Sequence, residues 1–214
     1  MDPTERLIRD AATLGVKLTP GDAARLLLLL DELALWNRRF NLTAITAPEA
    51  MVTHHLLDSL AVNPELAGNR VADLGTGAGF PGLPLAVVNP ARHFTLIDST
   101  AKKVRFVTHA VQLLGLGNVT PLHARVEQLR VDAPFDTIVA RAFAPLPRLL
   151  ESVAALCGGE TRVIAMKGKW PAAELAAVEP AWSVIASREL HIPGLDAARC
   201  VITLSRAVQE GGRR

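Results

Sequence analysis

Three glycines at alternate positions, Gly75, Gly77 and Gly79, follow an apolar run that ends in Asp73 and Leu74. Glycine has no Cβ and accepts a positive φ, so the backbone can bend sharply there and a ligand can approach its amides. A strand, such a turn and then a helix form the opening of nucleotide-binding α/β folds, with the ligand at the carboxyl end of the strand. The segment therefore predicts a site for a nucleotide-like cofactor.

Two cofactors fit this turn. The residues from Gly77 to Gly82 match G-x-G-x-x-G, which is typical of dinucleotide sites. In those sites the glycine turn follows its strand directly, whereas here Gly75 comes first. With Asp73 two residues before the first glycine, the segment looks like the first motif of class I S-adenosylmethionine (SAM) methyltransferases, where the turn passes under the methionine part of the cofactor. We favour SAM over a nicotinamide cofactor, and a turn without a ligand is the least favoured interpretation.

A second acid follows the next predicted strand. His93 to Ile97 alternate and then run apolar, as in a buried parallel strand, and Asp98 comes next, roughly 20 residues past the glycines. A carboxylate accepts hydrogen bonds through two oxygens and so suits the vicinal diol of a ribose. Both NAD and SAM contain such a ribose, so Asp98 supports a nucleoside cofactor without choosing between them.

The elements that position these residues change type at Arg70. Capping signals at residues 2–5, 19–22 and 46–49 predict helices throughout the first 69 residues, the third of them reaching about Val62. From Arg70 onward strands and helices alternate, which indicates a parallel sheet with helices on both faces. We predict strands near 70–74, 93–97, 118–122, 135–140, 161–167, 183–190 and 199–205. We predict the helices of this second part near 82–88, 101–114, 147–156 and 171–178.

The loop between the last two predicted strands is too short for a crossover helix, so these strands should pair antiparallel. Seven strands with an antiparallel last one look like the mostly parallel, Rossmann-like sheet of class I SAM methyltransferases. We therefore expect an α/β protein with an N-terminal helical extension at 1–69, a methyltransferase domain at 70–208 and a flexible tail at 209–214.

Composition restricts the class of protein. The chain has 214 residues, of which half are apolar, and a net charge of only +2, which is too small for a histone-like nucleic-acid binder. The N-terminus does not resemble a signal peptide, and the apolar runs are far shorter than a membrane span. Cys157 and Cys200 form neither a metal-binding pattern nor a disulfide framework. We expect a cytoplasmic protein with no metal site and no membrane or DNA partner.

Absent motifs limit the kind of methyl transfer. Enzymes that methylate exocyclic amines usually place [DNS]-P-P-[YFW] after the fourth strand, where this chain has Ala140 to Phe143. Enzymes that methylate pyrimidine carbon usually need a thiolate after a proline, and neither Cys157 nor Cys200 follows one. The remaining substrates are already nucleophilic or use a base that the sequence does not identify. Guanine nitrogen 7 fits, because it has an in-plane lone pair and no proton to lose, and positioning alone can then supply much of the rate.

The chain resembles the RsmG (GidB) family of bacterial 16S rRNA guanine-N(7) methyltransferases from about Leu26 to Leu204. The resemblance implies a methyl transfer from SAM to a guanine in the 530 loop of 16S rRNA. The G-x-G-x-x-G match leaves a nicotinamide-dependent oxidoreductase on a Rossmann fold as the alternative. It implies 16S rRNA as partner, within the small ribosomal subunit or an assembly intermediate, and we expect a monomer. The segments that carry it occur in this order: Trp36-Asn37, Phe40-Asn41-Leu42-Thr43, His55-Leu56-Leu57-Asp58-Ser59, Asp73 to Gly82, Leu96-Ile97-Asp98-Ser99, Arg125-Val126-Glu127, Arg141-Ala142 and Met166-Lys167-Gly168.

By position, the resemblance implies specific cofactor contacts, which we combine with the glycine turn and the ribose acid. The family often has an aliphatic residue where Phe80 stands and a proline where Ala78 stands, and both changes are mild. The predicted cofactor-binding residues are Gly75, Gly77, Gly79, Phe80, Asp98, Val126, Glu127 and Arg141.

Other polar residues are candidates for the RNA side of the site. His55 and Asp58 are three apart on one helical face and either line the substrate pocket or form a hydrogen-bonded pair that seats the N-terminal helices. Lys167 ends the fifth strand and can contact a phosphate, and Arg141 can face either cofactor or RNA. We predict no catalytic side chain. A basic rim is also possible, formed by Arg38, Arg39, Lys102, Lys103 and Arg105.

Overall fold

The computed structural model describes residues 2–178 and 180–207, so the predicted tail at 209–214 lies outside the described residues. Helices occupy the chain before the sheet. The third one continues without a break from an α-helical turn through a π-helix into another α-helical turn. These elements are α1 (Pro3–Thr13), α2 (Pro20–Phe40), α3 (Pro48–Met51), the π-helix (Val52–Leu57) and α4 (Asp58–Leu60), followed by a 3₁₀ turn at Asn63–Glu65.

Seven strands form one sheet in the order β3-β2-β1-β4-β5-β7-β6. The first five strands are parallel, and β7 lies antiparallel between β5 and β6. This arrangement confirms the predicted α/β class and the predicted antiparallel pairing of the last two strands. The strands are β1 (Arg70–Leu74), β2 (His93–Asp98), β3 (Val119–His123), β4 (Phe135–Arg141), β5 (Cys157–Lys167), β6 (Trp182–Glu189) and β7 (Cys200–Arg206).

Helices connect the parallel strands. Two predicted helices are shorter in the structure: the one expected to reach residue 156 ends in a 3₁₀ turn at Ala154–Leu156, and the one expected at 171–178 has only five residues. Strand β5 begins at Cys157, four residues earlier than expected, because Phe135 pairs with Cys157 across an irregular ladder. The connecting helices are α5 (Gly82–Val88), α6 (Ala101–Leu114), α7 (Leu146–Val153) and α8 (Ala172–Ala176).

Local chemistry explains where the helices begin and end. Helix α2 starts with a capping box in which Thr19 and Asp22 each accept a hydrogen bond from the other's backbone amide. Helix α6 ends at Gly115, whose φ of 63° is the left-handed conformation that commonly terminates a helix. These short-range signals are the ones that sequence patterns report best.

The apolar core lies on both faces of the sheet. One cluster joins side chains of the N-terminal helices, such as Leu26 and Leu56, to Leu83, Phe94 and Phe106 of the α/β part. A second cluster covers the other face. The first cluster crosses residue 69, so the helical extension shares its core with the sheet, and the boundaries at 69 and 208 stay a prediction. No helix within residues 2–178 and 180–207 has the length and apolar character needed to cross a membrane.

We expect Gly79→Ala to destabilise the fold by about 2–4 kcal/mol, through a left-handed φ and overpacking together. Gly79 has φ 89°, and a Cβ there would lie 2.2 Å from Leu83 Cδ1. Gly115→Ala is the control, since Gly115 also has a positive φ but no heavy atom within 4 Å of an added Cβ. The control should lose only about 1–2 kcal/mol. Urea unfolding measures both, and equal losses would contradict the packing argument.

Candidate active site

Asp73 anchors the glycine turn. It ends β1 next to Leu74 and is buried, and its Oδ2 accepts hydrogen bonds from Thr76 Oγ1 at 2.6 Å and from the Gly82 amide at 2.8 Å. Burial raises the pKa of Asp73 to about 6, even though these two bonds act to lower it. The other oxygen, Oδ1, is buried without a hydrogen-bond partner in the described structure. Asp73 therefore determines the shape of the turn from beneath.

Asp98 joins the turn to the end of β2. Its Oδ2 accepts from the Gly77 amide at 3.0 Å, its Oδ1 accepts from the Thr100 amide at 2.8 Å, and Lys103 Nζ lies 3.7 Å from Oδ2. A carboxylate offers about four acceptor positions, so two backbone bonds leave room for a ligand's hydroxyls. Asp98 is thus both part of the scaffold and a possible ligand contact.

A cavity of about 380 Å³, here called cavity A, opens at the carboxyl ends of β1, β2 and β4. It brings together four of the predicted cofactor residues: Gly75, Asp98, Val126 and Glu127. Gly75 has φ 64°, and a Cβ there would lie 2.7 Å from Phe143 Cδ2, so only glycine allows this close approach. The other lining residues are Ile97, Ser99, Thr100, Lys103, Ala124, Arg125, Ala142, Phe143, Ala144 and Arg148.

The structure places three other predicted cofactor residues behind this cavity rather than in its lining. The Gly77 amide donates to Asp98, and Gly79 packs against Leu83. Phe80 is only 3% exposed and lies beneath the ring of His55. These three residues support the turn, and a direct contact with a cofactor stays a prediction for each of them.

A second cavity of about 460 Å³, cavity B, adjoins the first, and Ala142 lines both. Cavity B brings together all four residues predicted for the RNA side: His55, Asp58, Arg141 and Lys167. It includes Arg141, which was also a candidate cofactor contact. The remaining lining residues are Ile45, His54, Ala142, Met166, Gly168 and Arg199.

Asp58 is the central charge of cavity B. It is 3% exposed, and its Oδ2 accepts from Arg141 Nη1 at 3.0 Å while its Oδ1 accepts from Arg199 Nε at 3.2 Å. A carboxylate between two guanidinium groups leaves one net positive charge. The contacts join the helical extension to β4 and to the start of β7, so Asp58 both lines the pocket and seats the helices. Its partners are the arginines rather than His55.

The π-helix makes the contact with Arg141 possible. In an α-helix the Asp58 amide would donate to the carbonyl of His54, four residues earlier. Here it donates to Thr53, which leaves the His54 carbonyl free to accept from Arg141 Nη1 at 2.8 Å. Single π-turns inside helices are frequent at functional sites. The sequence pattern predicts a regular helix here.

His55 is a neutral group in this site. Its ring stacks on Phe80 with centroids 4.7 Å apart, and its Nε2 lies 3.0 Å from Thr43 Oγ1. Burial lowers the pKa of His55 to about 4, and the charges of Arg141 and His54 lower it further. The Nδ1 atom is buried and has no hydrogen-bond partner in the described structure.

Lys167 supports a loop rather than standing free. Its Nζ donates to Glu174 Oε2 at 2.8 Å and to the carbonyl of Ala144 at 3.2 Å, and Glu174 also accepts from the Leu146 amide. Burial acts to raise the pKa of Glu174, but the bonds from Lys167 and Leu146 outweigh it and hold that pKa below its usual value. Lys167 thus holds the loop from Arg141 to Leu146, which separates the two cavities.

Two residues were not predicted from the sequence: Arg199, which lines cavity B, and Thr43, which contacts His55. Arg199 directly precedes β7, and because β7 is antiparallel to β5, its start lies beside Lys167 at the carboxyl edge of the sheet. That antiparallel pairing was predicted, and it could have identified Arg199. Thr43 is held by Asn37, whose side chain accepts from the Leu42 and Thr43 amides. Within residues 2–178 and 180–207, no cluster of three metal-ligating side chains occurs.

We expect the stability of the protein to report the buried neutral state of His55. Its native pKa of about 4 lies below the usual 6.5, so its stabilising contribution is present above pH 6.5 and is lost as pH falls through 4. Between pH 7 and pH 4 the parent should lose about 3 kcal/mol more unfolding free energy than His55→Gln. Urea titrations at both pH values measure this. Parallel losses in the two proteins would contradict it.

Comparison with known proteins agrees with the resemblance seen in the sequence. The family model for GidB, described as rRNA small subunit methyltransferase G, matches residues 22–203. A ribosomal RNA small subunit methyltransferase G of Chromohalobacter salexigens is 46% identical over 94% of this chain and 97% of its own length. The relative of the same name from an Azoarcus species is 43% identical over 94% of this chain and 95% of its own.

Solved structures agree on the fold. TrmN from Thermus thermophilus superposes with a TM-score of 0.58 at 23% identity, covering 79% of this chain and 53% of that one. The Bacillus subtilis tRNA methyltransferase TrmK gives 0.59 at 15% identity, covering 70% of this chain and 65% of that one. These neighbours confirm the class I SAM-methyltransferase fold. The family match and the named relatives do not favour the oxidoreductase alternative. The chain belongs to the GidB family, the rRNA small subunit methyltransferases G.

Proposed function

We propose that this protein transfers a methyl group from SAM to nitrogen 7 of a guanine in the 530 loop of 16S rRNA. The observation that carries the proposal is the pair of adjacent cavities that share Ala142. Cavity A offers carboxylates suited to a nucleoside, and cavity B has a net positive charge. Family membership supports SAM and small-subunit rRNA, and the resemblance of the sequence motifs supports the guanine.

The residues that line cavity A fit SAM. Bound there, SAM supplies an electrophilic methyl group. Asp98 would accept from the ribose hydroxyls, and Val126 and Glu127 would meet the adenine. At Gly75 the backbone can lie close to a ligand, because glycine has no Cβ. A Cβ at this residue would clash with the Phe143 ring. Asp98, Glu127 and Gly75 line the same cavity, which is what a single ligand of this kind requires.

Cavity B fits guanine without a general base. Burial lowers the pKa of His55 to about 4, which makes its ring a weak base, and Asp58 accepts from two arginines, so neither is suited to remove a proton. Guanine nitrogen 7 has no proton to lose. The residues of cavity B therefore act by binding and orientation, and Arg141 and Arg199 keep further N–H donors for acceptors such as guanine O6 or a phosphate. No side chain has to perform the chemical step.

Arg141 belongs to the boundary between the two ligands. Its guanidinium lines cavity B and is held by Asp58 and by the His54 carbonyl. Its neighbour Ala142 lines both cavities and has φ 50°, a left-handed conformation that is rare for alanine. We assign the arginine to the substrate side, with an indirect effect on the cofactor through this shared loop.

Two residues of the basic rim contact other groups of the protein, and three are exposed. Lys102 Nζ donates to the Phe40 carbonyl at 2.8 Å, which places the end of α2 beside the start of α6, and Lys103 lies near Asp98. Arg38, Arg39 and Arg105 are exposed, the first two at the end of α2 and the third in the first half of α6. We propose these three as the phosphate contacts. With a net charge of +2, the protein would need the small subunit or an assembly intermediate to supply further contacts. We propose that it acts there as a cytoplasmic monomer.

The test of the proposed function is mass spectrometry of 16S rRNA from cells with and without this protein. We expect one guanine of the 530 loop to lose 14 mass units when the protein is absent, and re-expression to restore them. Unchanged 16S rRNA, or a change at a base other than guanine, would overturn the proposal.

We expect Asp98→Asn to weaken binding of S-adenosylhomocysteine roughly 10- to 100-fold, since a lost hydrogen bond to a charged group costs about 1.5–3 kcal/mol. The matched control is Asp136→Asn, because Asp136 also accepts two backbone amides, those of Asn69 and Arg70, at the amino end of β4. Calorimetric titration should show parental affinity for the control. Unchanged affinity in Asp98→Asn would remove this residue from the ribose site.

We expect the affinity for small-subunit particles to fall as salt rises, with each phosphate contact adding about 0.7–0.9 to the log–log slope. Replacing Arg38, Arg39 or Arg105 singly by alanine should lower the slope by about one contact each. Arg162→Ala is the control, since Arg162 is exposed on β5 in the half of the strand far from the cavities. A slope that none of the three changes would place the RNA elsewhere.

A further inference from the structure

A third cavity of about 740 Å³, cavity C, adjoins cavity B and shares Gly168 and Arg199 with it. It lies between the loop that follows β5 and the loop that connects β6 to β7. Thr13 from α1 closes one side. Neither the proposed cofactor site nor the guanine site uses this space. Its position makes it a continuation of the guanine cavity away from cavity A.

Trp170 is the prominent side chain of cavity C. It is 53% exposed, on the loop directly after β5. The other two tryptophans are packed: Trp182 is 9% exposed, and Trp36 contacts Phe106 and donates to Glu32. An exposed tryptophan at the wall of a cavity offers a large flat surface to a ligand and loses little side-chain entropy on binding.

The charges of cavity C do not suit a phosphate site. Lys169 and Arg199 are balanced by Glu189 and Asp196, and His191 lies among them. Arg199 is moreover held by Asp58. A balanced, partly apolar cavity with one exposed indole suits a flat, uncharged, polar-edged group better than an anion. A nucleobase has these properties.

We infer that cavity C binds the base of a nucleotide adjacent to the target guanine, stacked on Trp170. The inference rests on the proposed function, because it requires a guanine in cavity B. Sequence-specific RNA recognition targets unpaired bases that splay out and stack on aromatic side chains. Since the two cavities share Gly168 and Arg199, a base in cavity C and a guanine in cavity B belong to neighbouring nucleotides of one strand.

The first test measures methyl transfer to small subunits from cells that lack this protein. Trp170→Ala should raise KM about 5- to 100-fold and leave kcat within about twofold, because base stacking on an aromatic affects binding. Trp170→Phe should keep most of the parental KM. Leu113→Ala, which removes another exposed apolar side chain on α6, is the control and should behave as the parent. A parental KM in Trp170→Ala, or a loss confined to kcat, would overturn the inference.

The second test separates this inference from the proposed function. The probe is the small subunit of the first test, compared with small subunits in which one base flanking the target guanine is removed. For the parent, removing that base should weaken binding by the fold-change that Trp170→Ala causes with the intact subunit, and Trp170→Ala should lose nothing further. If removal of the base and Trp170→Ala weaken binding independently of each other, the inference is overturned even where the guanine is methylated. If the parent methylates no guanine of the small subunit, the proposed function fails, and with it this one. If Trp170→Ala loses affinity for a ribosomal protein but not for RNA, the cavity binds protein instead.

Discussion

The arrangement of the site depends on the buried carboxylate of Asp58. It holds Arg141 from β4 and Arg199 from the start of β7, and so joins the N-terminal helices to the two strands on either side of β5. Without it, two guanidinium groups at the base of the cavity would lack a compensating charge, which is among the more costly ways to disrupt a folded site. The π-helix serves the same contact by freeing the His54 carbonyl for Arg141. Fold and candidate substrate site therefore share one ionic centre.

The loop from Arg141 to Leu146 is the second part of this organisation. Its Phe143 approaches Gly75 on the side of cavity A, and its Ala144 carbonyl accepts from Lys167 on the side of cavity B. The wall between the proposed cofactor and the proposed base is thus a short segment fixed at both ends. An enzyme that needs no general base has to align donor and acceptor, and a fixed wall between two ligands serves that purpose.

Much of the fold followed from the sequence, because strand alternation, capping boxes and short loops are local signals. The glycine turn and Asp98 were recognisable for the same reason, and four predicted residues meet in each of cavities A and B. The supporting roles of Gly79 and Phe80 could not be predicted, since they depend on side chains packed from other elements. The pairing of Arg199 with Asp58 was not predicted, because 141 residues separate these two partners along the chain. The π-helix was not predicted either.

Methyl transfer to a small-subunit particle whose target guanine is replaced by 7-deazaguanine would show whether nitrogen 7 is the acceptor. This base keeps the shape and the Watson–Crick edge of guanine but has carbon at position 7. If cavity B only binds and orients an atom that is already nucleophilic, the particle should bind with nearly the parental affinity and receive no methyl group. Methylation of the substituted particle at the same nucleotide would show that another atom is the acceptor, and it would contradict the account.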